Sequence, residues 1–290
     1  MPRLLNGIVY DEKLAWTAET FSLQPDEIYH LVSAEITGLP EKVKRFRHDV
    51  LERGYGFGVL KGIGHLSREV QKEIYLSTAE LLGSPIVQNI SGDTVVDVFD
   101  KGKTMETGGR YHETRQGGAL HTDSPQYKDI PDYLGLLCLH PAKEGGESKF
   151  VSSYSLHNRL LEESPELLAR LYEPFHFDKR GHEKKGESPT TFEPVFKYDN
   201  EGLHFRYLGN YIRSGHEKVS AVLSGIEENA LYAVDRLLED ESLIVSVNME
   251  AGDMQFLNNH RIVHGRTGFM DYGEPEKKRL MLRTWLRRDA

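Results

Sequence analysis

Apolar side chains recur at helical spacing between residues 41 and 53, where Val43, Phe46, Val50 and Leu51 precede Gly54, and again from 68 to 82 before Gly83. Both segments are predicted to be amphipathic helices. Ser164-Pro165-Glu166 predicts the start of a short helix, since proline is tolerated in a first helical turn. Ser224-x-x-Glu227 predicts a capping box that opens a longer helix through Ile226, Leu231, Val234 and Leu238. Strands are predicted at 133–139, 148–152, 194–198, 203–207, 243–248, 254–257 and 280–286, all short and bounded by turn residues. Because they do not alternate one for one with helices, the pattern favours a sandwich or barrel with helices packed outside over a doubly wound parallel sheet. Between Ser91 and Leu120 periodicity fades and six glycines appear, so 91–120 reads as a lid-like loop. No repeat or linker divides the chain, and residues 1–290 read as one domain.

Composition narrows the function classes. With 38% hydrophobic and 28% charged residues the chain is globular, and no apolar run reaches the roughly 18 residues of a membrane span. Neither a signal peptide nor a membrane partner is expected, which favours a cytoplasmic location. A net charge of -9 repels polyanions, so nucleic acid is not an expected partner. The single cysteine, Cys138, lies in an apolar strand and offers neither a disulfide nor a thiolate metal site.

Thirteen histidines among 45 acidic residues produce about two His-x-Asp/Glu matches by chance, and two are present. In extended backbone, His121 and Asp123 project to the same side and reach one ion together. A distant second histidine would complete two imidazoles and one carboxylate on one face of an octahedral ion, with three positions left open. His264, in Asn258-Asn259-His260-Arg261-Ile262-Val263-His264-Gly265-Arg266, is the candidate. A zinc-protease reading of His260-x-x-x-His264 lacks the helix pattern and the adjacent glutamate. His176-Phe177-Asp178 has no accompanying turn and reads as a chance surface or loop pair.

The stretch around His264 resembles the distal-histidine motif of the Fe(II)/2-oxoglutarate-dependent oxygenases, in the taurine dioxygenase and clavaminate synthase-like branch. Gly145-Gly146-Glu147-Ser148 resembles that branch's glycine-rich turn, and Arg279-x-x-x-Arg283 its C-terminal arginine strand. The resemblance spans about Gln88 to Trp285. It implies an α+β fold with a double-stranded β-helix (jelly-roll) core, flanking helices and an active-site lid. It further implies Fe(II) on His121, Asp123 and His264, with 2-oxoglutarate and O2 as cosubstrates and the far carboxylate of 2-oxoglutarate on Arg279 and Ser148. Arg283 would face an acidic group on the substrate. Gln88-Asn89-Ile90 resembles a segment that binds a substrate α-amino end. Strand alternation puts Arg279, Met281, Arg283 and Trp285 on one face and Leu280, Leu282 and Leu286 on the other. The implied reaction is hydroxylation or desaturation of an unactivated C–H bond in a small anionic, amino-acid-like compound, releasing succinate and CO2. Asp123 speaks against halogenation, whose enzymes carry a small residue there.

Two alternatives stay open. A cupin-like zinc or nickel protein would keep the His/Asp/His set without 2-oxoglutarate, and a nucleic-acid or protein demethylase would act on a macromolecule. The charged segment 109–115, with Tyr111, His112 and Arg115, has no assigned role. Arg206 is expected in a surface ion pair, and Arg287 with Arg288 on a solvated face.

Overall fold

The computed structural model describes residues 7–21, 29–30, 39–89, 91–104 and 113–289. Its elements begin with strand β1 (Tyr29–His30), helix α1 (Leu39–Arg45), which continues as a π-helical segment (Phe46–Glu52), strand β2 (Phe57–Lys61) and helix α2 (Arg68–Leu82). They continue through β3 (Ser84–Ile86), β4 (Val95–Val98), β5 (Tyr133–His140), β6 (Glu144–Gly145), β7 (Ser148–Ser152), α3 (Ser153–Glu163), α4 (Pro165–Leu171) and β8 (Pro174–Asp178). The remainder comprises β9 (Thr190–Pro194), β10 (Phe196–Asp199), β11 (Gly202–Phe205), α5 (Gly209–Lys218), α6 (Gly225–Leu238), β12 (Val245–Val247), β13 (Met254–Asn258), β14 (Ile262–Arg266), β15 (Phe269–Met270) and β16 (Leu280–Arg287).

Two sheets carry the architecture. In the larger, β1-β2-β13-β5-β16-β3 run in order, β4 also pairs with β16, and every pairing but β1–β2 is antiparallel. The smaller has β7 between β12 and β14. Trp16, Phe57, Leu134, Leu257 and Trp285 pack with Phe150, Val245 and Ile262 in a core shared by both sheets, and Phe57 stacks on Phe150 at 4.1 Å. The sheets are therefore face to face, which alternation permits because each strand sends every second side chain inward. The outer face of the large sheet, with Leu137, Leu282 and Leu286, is covered by Val43, Phe46, Tyr75 and Ala79 of α1, its π-helical extension and α2. Beyond the small sheet, Val151 and Val263 meet Leu156, Leu168 and Val234 of α3, α4 and α6.

The 41–53 helix changes hydrogen-bond register at Phe46, and the Arg53 amide bonds to the His48 carbonyl, an i→i−5 contact. The capping box at Ser224 and Glu227 forms as its spacing requires. The expected strand at 194–198 is broken at Val195, whose amide turns to the Leu171 carbonyl. Two readings need correction. Segment 91–120 is not loop throughout, because Val95–Val98 pairs with β16; its residues 105–112 lie outside the described ones. His176-Phe177-Asp178 is neither surface nor loop: it lies in β8, and buried Asp178 accepts from Lys218 Nζ at 2.6 Å and Ser214 Oγ at 2.5 Å. Among the described residues no helix is long and apolar enough to cross a membrane.

Gly135, in the middle of β5, shows how closely the large sheet and α2 approach. A Cβ there would lie 2.7 Å from Thr284 Oγ1 and 2.8 Å from the Tyr75 hydroxyl, which hydrogen-bond each other at 2.8 Å. Gly135→Ala is expected to lower unfolding free energy by about 1–3 kcal/mol through overpacking, measured by urea denaturation.

Candidate metal centre

The site begins with a backbone pairing. The His121 amide donates to the His264 carbonyl at 2.9 Å and the His264 amide to the His121 carbonyl at 2.8 Å, so two residues 143 positions apart are direct cross-strand neighbours. Their rings come within 4.8 Å, centroid to centroid. Thr122, between His121 and Asp123, turns the other way: its amide donates to the Tyr207 carbonyl and its hydroxyl accepts from the Tyr207 amide, both at 3.0 Å. This short extended stretch, though only a bridge and not a full strand, thereby keeps His121 and Asp123 on one side. Asn259 fixes the far end. Its carboxamide accepts from the Asp123 amide at 2.8 Å and donates to the Asp123 and Pro131 carbonyls at 2.9 and 3.1 Å. Ser124 follows in the left-handed region with φ 56°, a sterically costly conformation for a side chain with Cβ.

The three side chains converge so that one ligand atom from each lies within 4.8 Å of the other two. Asp123 Oδ1 faces His121 Nε2 at 3.3 Å and His264 Nε2 at 3.6 Å. Two ligands at right angles on an ion, with bonds of roughly 2.1 Å, are separated by about 3 Å, so the donor set fits a transition-metal ion with small adjustment. His121 Nδ1 lies 2.8 Å from the Ala119 carbonyl, an acceptor only; the ring proton belongs on Nδ1, and Nε2 is left as a lone pair. Burial lowers the His264 imidazole below its ordinary value and favours the neutral form a ligand needs. For Asp123 burial works upward, but the Arg283 charge and the adjacent His121 and His264 imidazoles outweigh it and hold the carboxyl well below its usual range. Its other oxygen, Oδ2, accepts from the Trp285 indole N–H at 2.6 Å and from Arg283 Nη1 at 3.3 Å.

A second polar region surrounds Arg279, the residue that precedes β16. Arg279 is 4% exposed, and its Nε and Nη1 have no hydrogen-bond partner among the described residues. It borders a cavity of about 150 Å³ with Gly145, Gly146, Asn248, Met249 and Met281. Burial depresses its guanidinium to about 10, still protonated at neutral pH. The double-glycine turn is needed here: Gly145 and Gly146 adopt φ 71° and 77°, and a Cβ on Gly145 would lie 2.3 Å from the Gly268 carbonyl. Ser148 is buried with its hydroxyl 3.9 Å from Met249 Sδ, so Met249 touches the serine and lines the cavity. A buried cation with unused donors beside a cavity is suited to a carboxylate.

Gln88 and Asn89 lie on the other side of Arg283. Gln88 accepts from Arg283 Nε at 2.8 Å and donates to the Thr94 and Arg283 carbonyls at 2.9 and 2.8 Å; Asn89 closes the turn to Asp93. Arg266 donates to the Thr114 and Gln116 carbonyls at 2.9 and 3.0 Å. Tyr111 and His112 lie outside the described residues, and Arg115 is exposed. Arg206, read as a surface ion pair, instead donates to the Tyr127 carbonyl at 2.9 Å from a half-buried position. Arg287 and Arg288 pair with Asp132 and Glu201.

Sequence reasoning missed two contributors, Asn259 and Trp285. Asn259 stood in a quoted motif as an undefined polar residue, and only the fold reveals that it grips the Asp123 peptide. Asn259→Ala leaves one buried amide and two carbonyls unpaired, at about 1–3 kcal/mol each, and is expected to cost roughly 3 kcal/mol or more in urea unfolding and to weaken Mn(II) binding in calorimetry.

The family model described as "Taurine catabolism dioxygenase TauD, TfdA family" matches residues 25–285 of the chain. FR-33289 synthase of Streptomyces rubellomurinus (strain ATCC 31215) is 35% identical over 242 residues, 81% of this chain and 70% of the relative. A taurine hydroxylase-like protein, SAT17, of Stachybotrys chartarum (strain CBS 109288 / IBT 7711) is 26% identical over 302 residues, covering 91% and 76%. Among solved structures, asparagine oxygenase in complex with Fe(II), 2S,3S-3-hydroxyasparagine and succinate superposes with a TM-score of 0.66 at 19% identity, covering 86% of this chain and 79% of that one. Non-heme iron oxygenase OrfP in complex with Fe and alpha-ketoglutaric acid gives a TM-score of 0.64 at 18% identity, covering 87% and 80%. At such identities the structural likeness establishes the fold.

Proposed function

The chain belongs to the taurine catabolism dioxygenase TauD, TfdA family, and from that premise we propose how its own residues serve an Fe(II)/2-oxoglutarate-dependent oxygenase that hydroxylates a small anionic, amino-acid-like molecule. The observation that carries the assignment is the convergence of His121, Asp123 and His264, together with a buried arginine, Arg279, whose Nε and Nη1 have no hydrogen-bond partner among the described residues. His121 Nε2, Asp123 Oδ1 and His264 Nε2 hold the iron, which supplies the one-electron and dioxygen chemistry that no side chain possesses. Arg279 and Ser148 take the far carboxylate of 2-oxoglutarate; the planar guanidinium suits a carboxylate bidentately, and the double-glycine turn leaves room for it. A zinc or nickel protein of the cupin type has no use for such an arginine.

Support for an amino-acid-like substrate comes from the structural relatives, one described with hydroxyasparagine and another with (3S)-hydroxy-L-Arg. Arg283 Nη2, which makes no hydrogen bond among the described residues, is left to face the substrate's acidic group, with Nε held by Gln88. Gln88 and Asn89 act on the substrate through the placing of Arg283 and of the 89–93 turn. The two facing antiparallel sheets support a double-stranded β-helix core. The shared core, running from Trp16 to Trp285, supports a single domain over 1–290.

The purified chain with Fe(II), 2-oxoglutarate and O2 is expected to release succinate, and more of it with an anionic amino-acid-like compound from a panel. Absence of 2-oxoglutarate turnover across the panel would overturn the assignment. Arg279→Leu is expected to raise the KM for 2-oxoglutarate by about tenfold or more, because a charge-assisted contact is lost, while Mn(II) affinity stays unchanged. An unaltered KM would remove Arg279 from the cosubstrate site.

A further inference from the structure

We infer that Trp285 is a positioning residue that restricts Asp123 to a single metal-binding oxygen, an inference that rests on the metal site proposed above. The two carboxylate oxygens of Asp123 have unlike surroundings. Oδ1 looks toward the two imidazoles, at 3.3 and 3.6 Å. Oδ2 accepts the indole N–H of Trp285 at 2.6 Å and a longer contact from Arg283 Nη1 at 3.3 Å. An sp² oxygen has two lone-pair directions, and two N–H donors fill them. For Oδ2 to turn toward the ion, an indole N–H in a residue 8% exposed would lose its acceptor.

Neither donor has freedom to follow such a turn. Trp285 is held in the core between the sheets with Leu134, Phe57 and Leu257, and its backbone is paired on both sides, to Leu134 of β5 and Ile86 of β3. The next residue back, Thr284, is fixed by the Tyr75 hydroxyl at 2.8 Å. Arg283 lies over the indole with its guanidinium carbon 4.8 Å from the ring centroid, and Gln88 holds its Nε at 2.8 Å. The arginine supplies charge and the tryptophan, with the shorter contact, supplies direction. Arg283 and Trp285 reach the same carboxylate because strand alternation puts them on one side of β16.

Coordination number is what this arrangement controls. With one oxygen from Asp123 the three protein ligands leave three of about six positions free. With both oxygens on the ion only two remain, and a 2-oxo acid that chelates through two atoms would fill the sphere.

Trp285→Phe removes the N–H and keeps an aromatic ring in the core. The variant is expected to bind Mn(II) within about threefold of the wild type, whereas anaerobic calorimetry of the Mn(II)-loaded protein shows 2-oxoglutarate affinity reduced about tenfold or more. The absorption spectrum of the Co(II)-substituted protein is expected to change with the altered ligand set. Trp285→His, which restores a ring N–H, is expected to recover part of the lost affinity. Unchanged 2-oxoglutarate affinity with an unchanged Co(II) spectrum in Trp285→Phe would overturn the inference and leave the metal site standing. Should Trp285→Phe fail to fold, a crystal structure of the Mn(II)-loaded wild type decides: a single Asp123 oxygen on the ion supports the inference, and both oxygens overturn it. If Asp123→Ala and His264→Ala bind Co(II) as tightly as the wild type, the metal site itself is misassigned and the inference falls with it.

Discussion

The pair of peptide hydrogen bonds between His121 and His264 is the constraint from which the centre follows. Once these backbones are opposed, both imidazoles must emerge side by side, and Asp123, two residues on in extended backbone, must emerge with them. What remains is to orient the carboxylate, and that task falls to residues far away in sequence. Asn259 holds the peptide, while Arg283 and Trp285 hold the outer oxygen. The centre therefore joins the layers: His264 comes from the small sheet and the carboxylate's partners from the large one.

Buried charge organises the surroundings. Asp123 and Arg283 offset each other and are tied by hydrogen bonds, the arrangement that makes a buried ion pair tolerable. Arg279 is the opposite case, a cation inside the protein with two nitrogens unsatisfied among the described residues. Such a group is costly to bury, and a carboxylate bound there would relieve a cost already present in the fold. Burial, and after it the Arg279 charge, lowers the neighbouring Arg266 guanidinium to about 10, and both arginines lie against the Phe269 ring.

Those parts of the fold that depend on local pattern were legible in the sequence. The α2 boundaries, the capping box at Ser224, strands β5 and β7, and the two faces of β16 all follow from spacing that does not need the rest of the chain. Elements set by tertiary contact were not. Helix α5 carries Gly209, Asn210, Ser214 and Gly215, poor helix formers; it exists because Gly215 lets β8 approach until a Cβ would meet the His176 carbonyl at 2.3 Å. Helix α3 is rich in polar residues and is recruited by burying Tyr154, Leu156 and Leu160. The site shows the same division. The metal-ligand candidates and both arginines could be named from motifs that resemble those of a known family, whereas the duties of Asn259 and Trp285 depend on who their neighbours are. The partners of the Gln88 amide, Arg283 and Thr94, are likewise visible only in the fold.

Arg266 ties together parts of the chain that are far apart in sequence. It moors the chain at Thr114 and Gln116 to the strand that carries His264, just as β4 moors residues 95–98 to the strand that carries Arg283. Both strands that supply side chains to the candidate centre thus carry a second load, each serving as the fixed footing for one end of the chain that leads from β4 to His121.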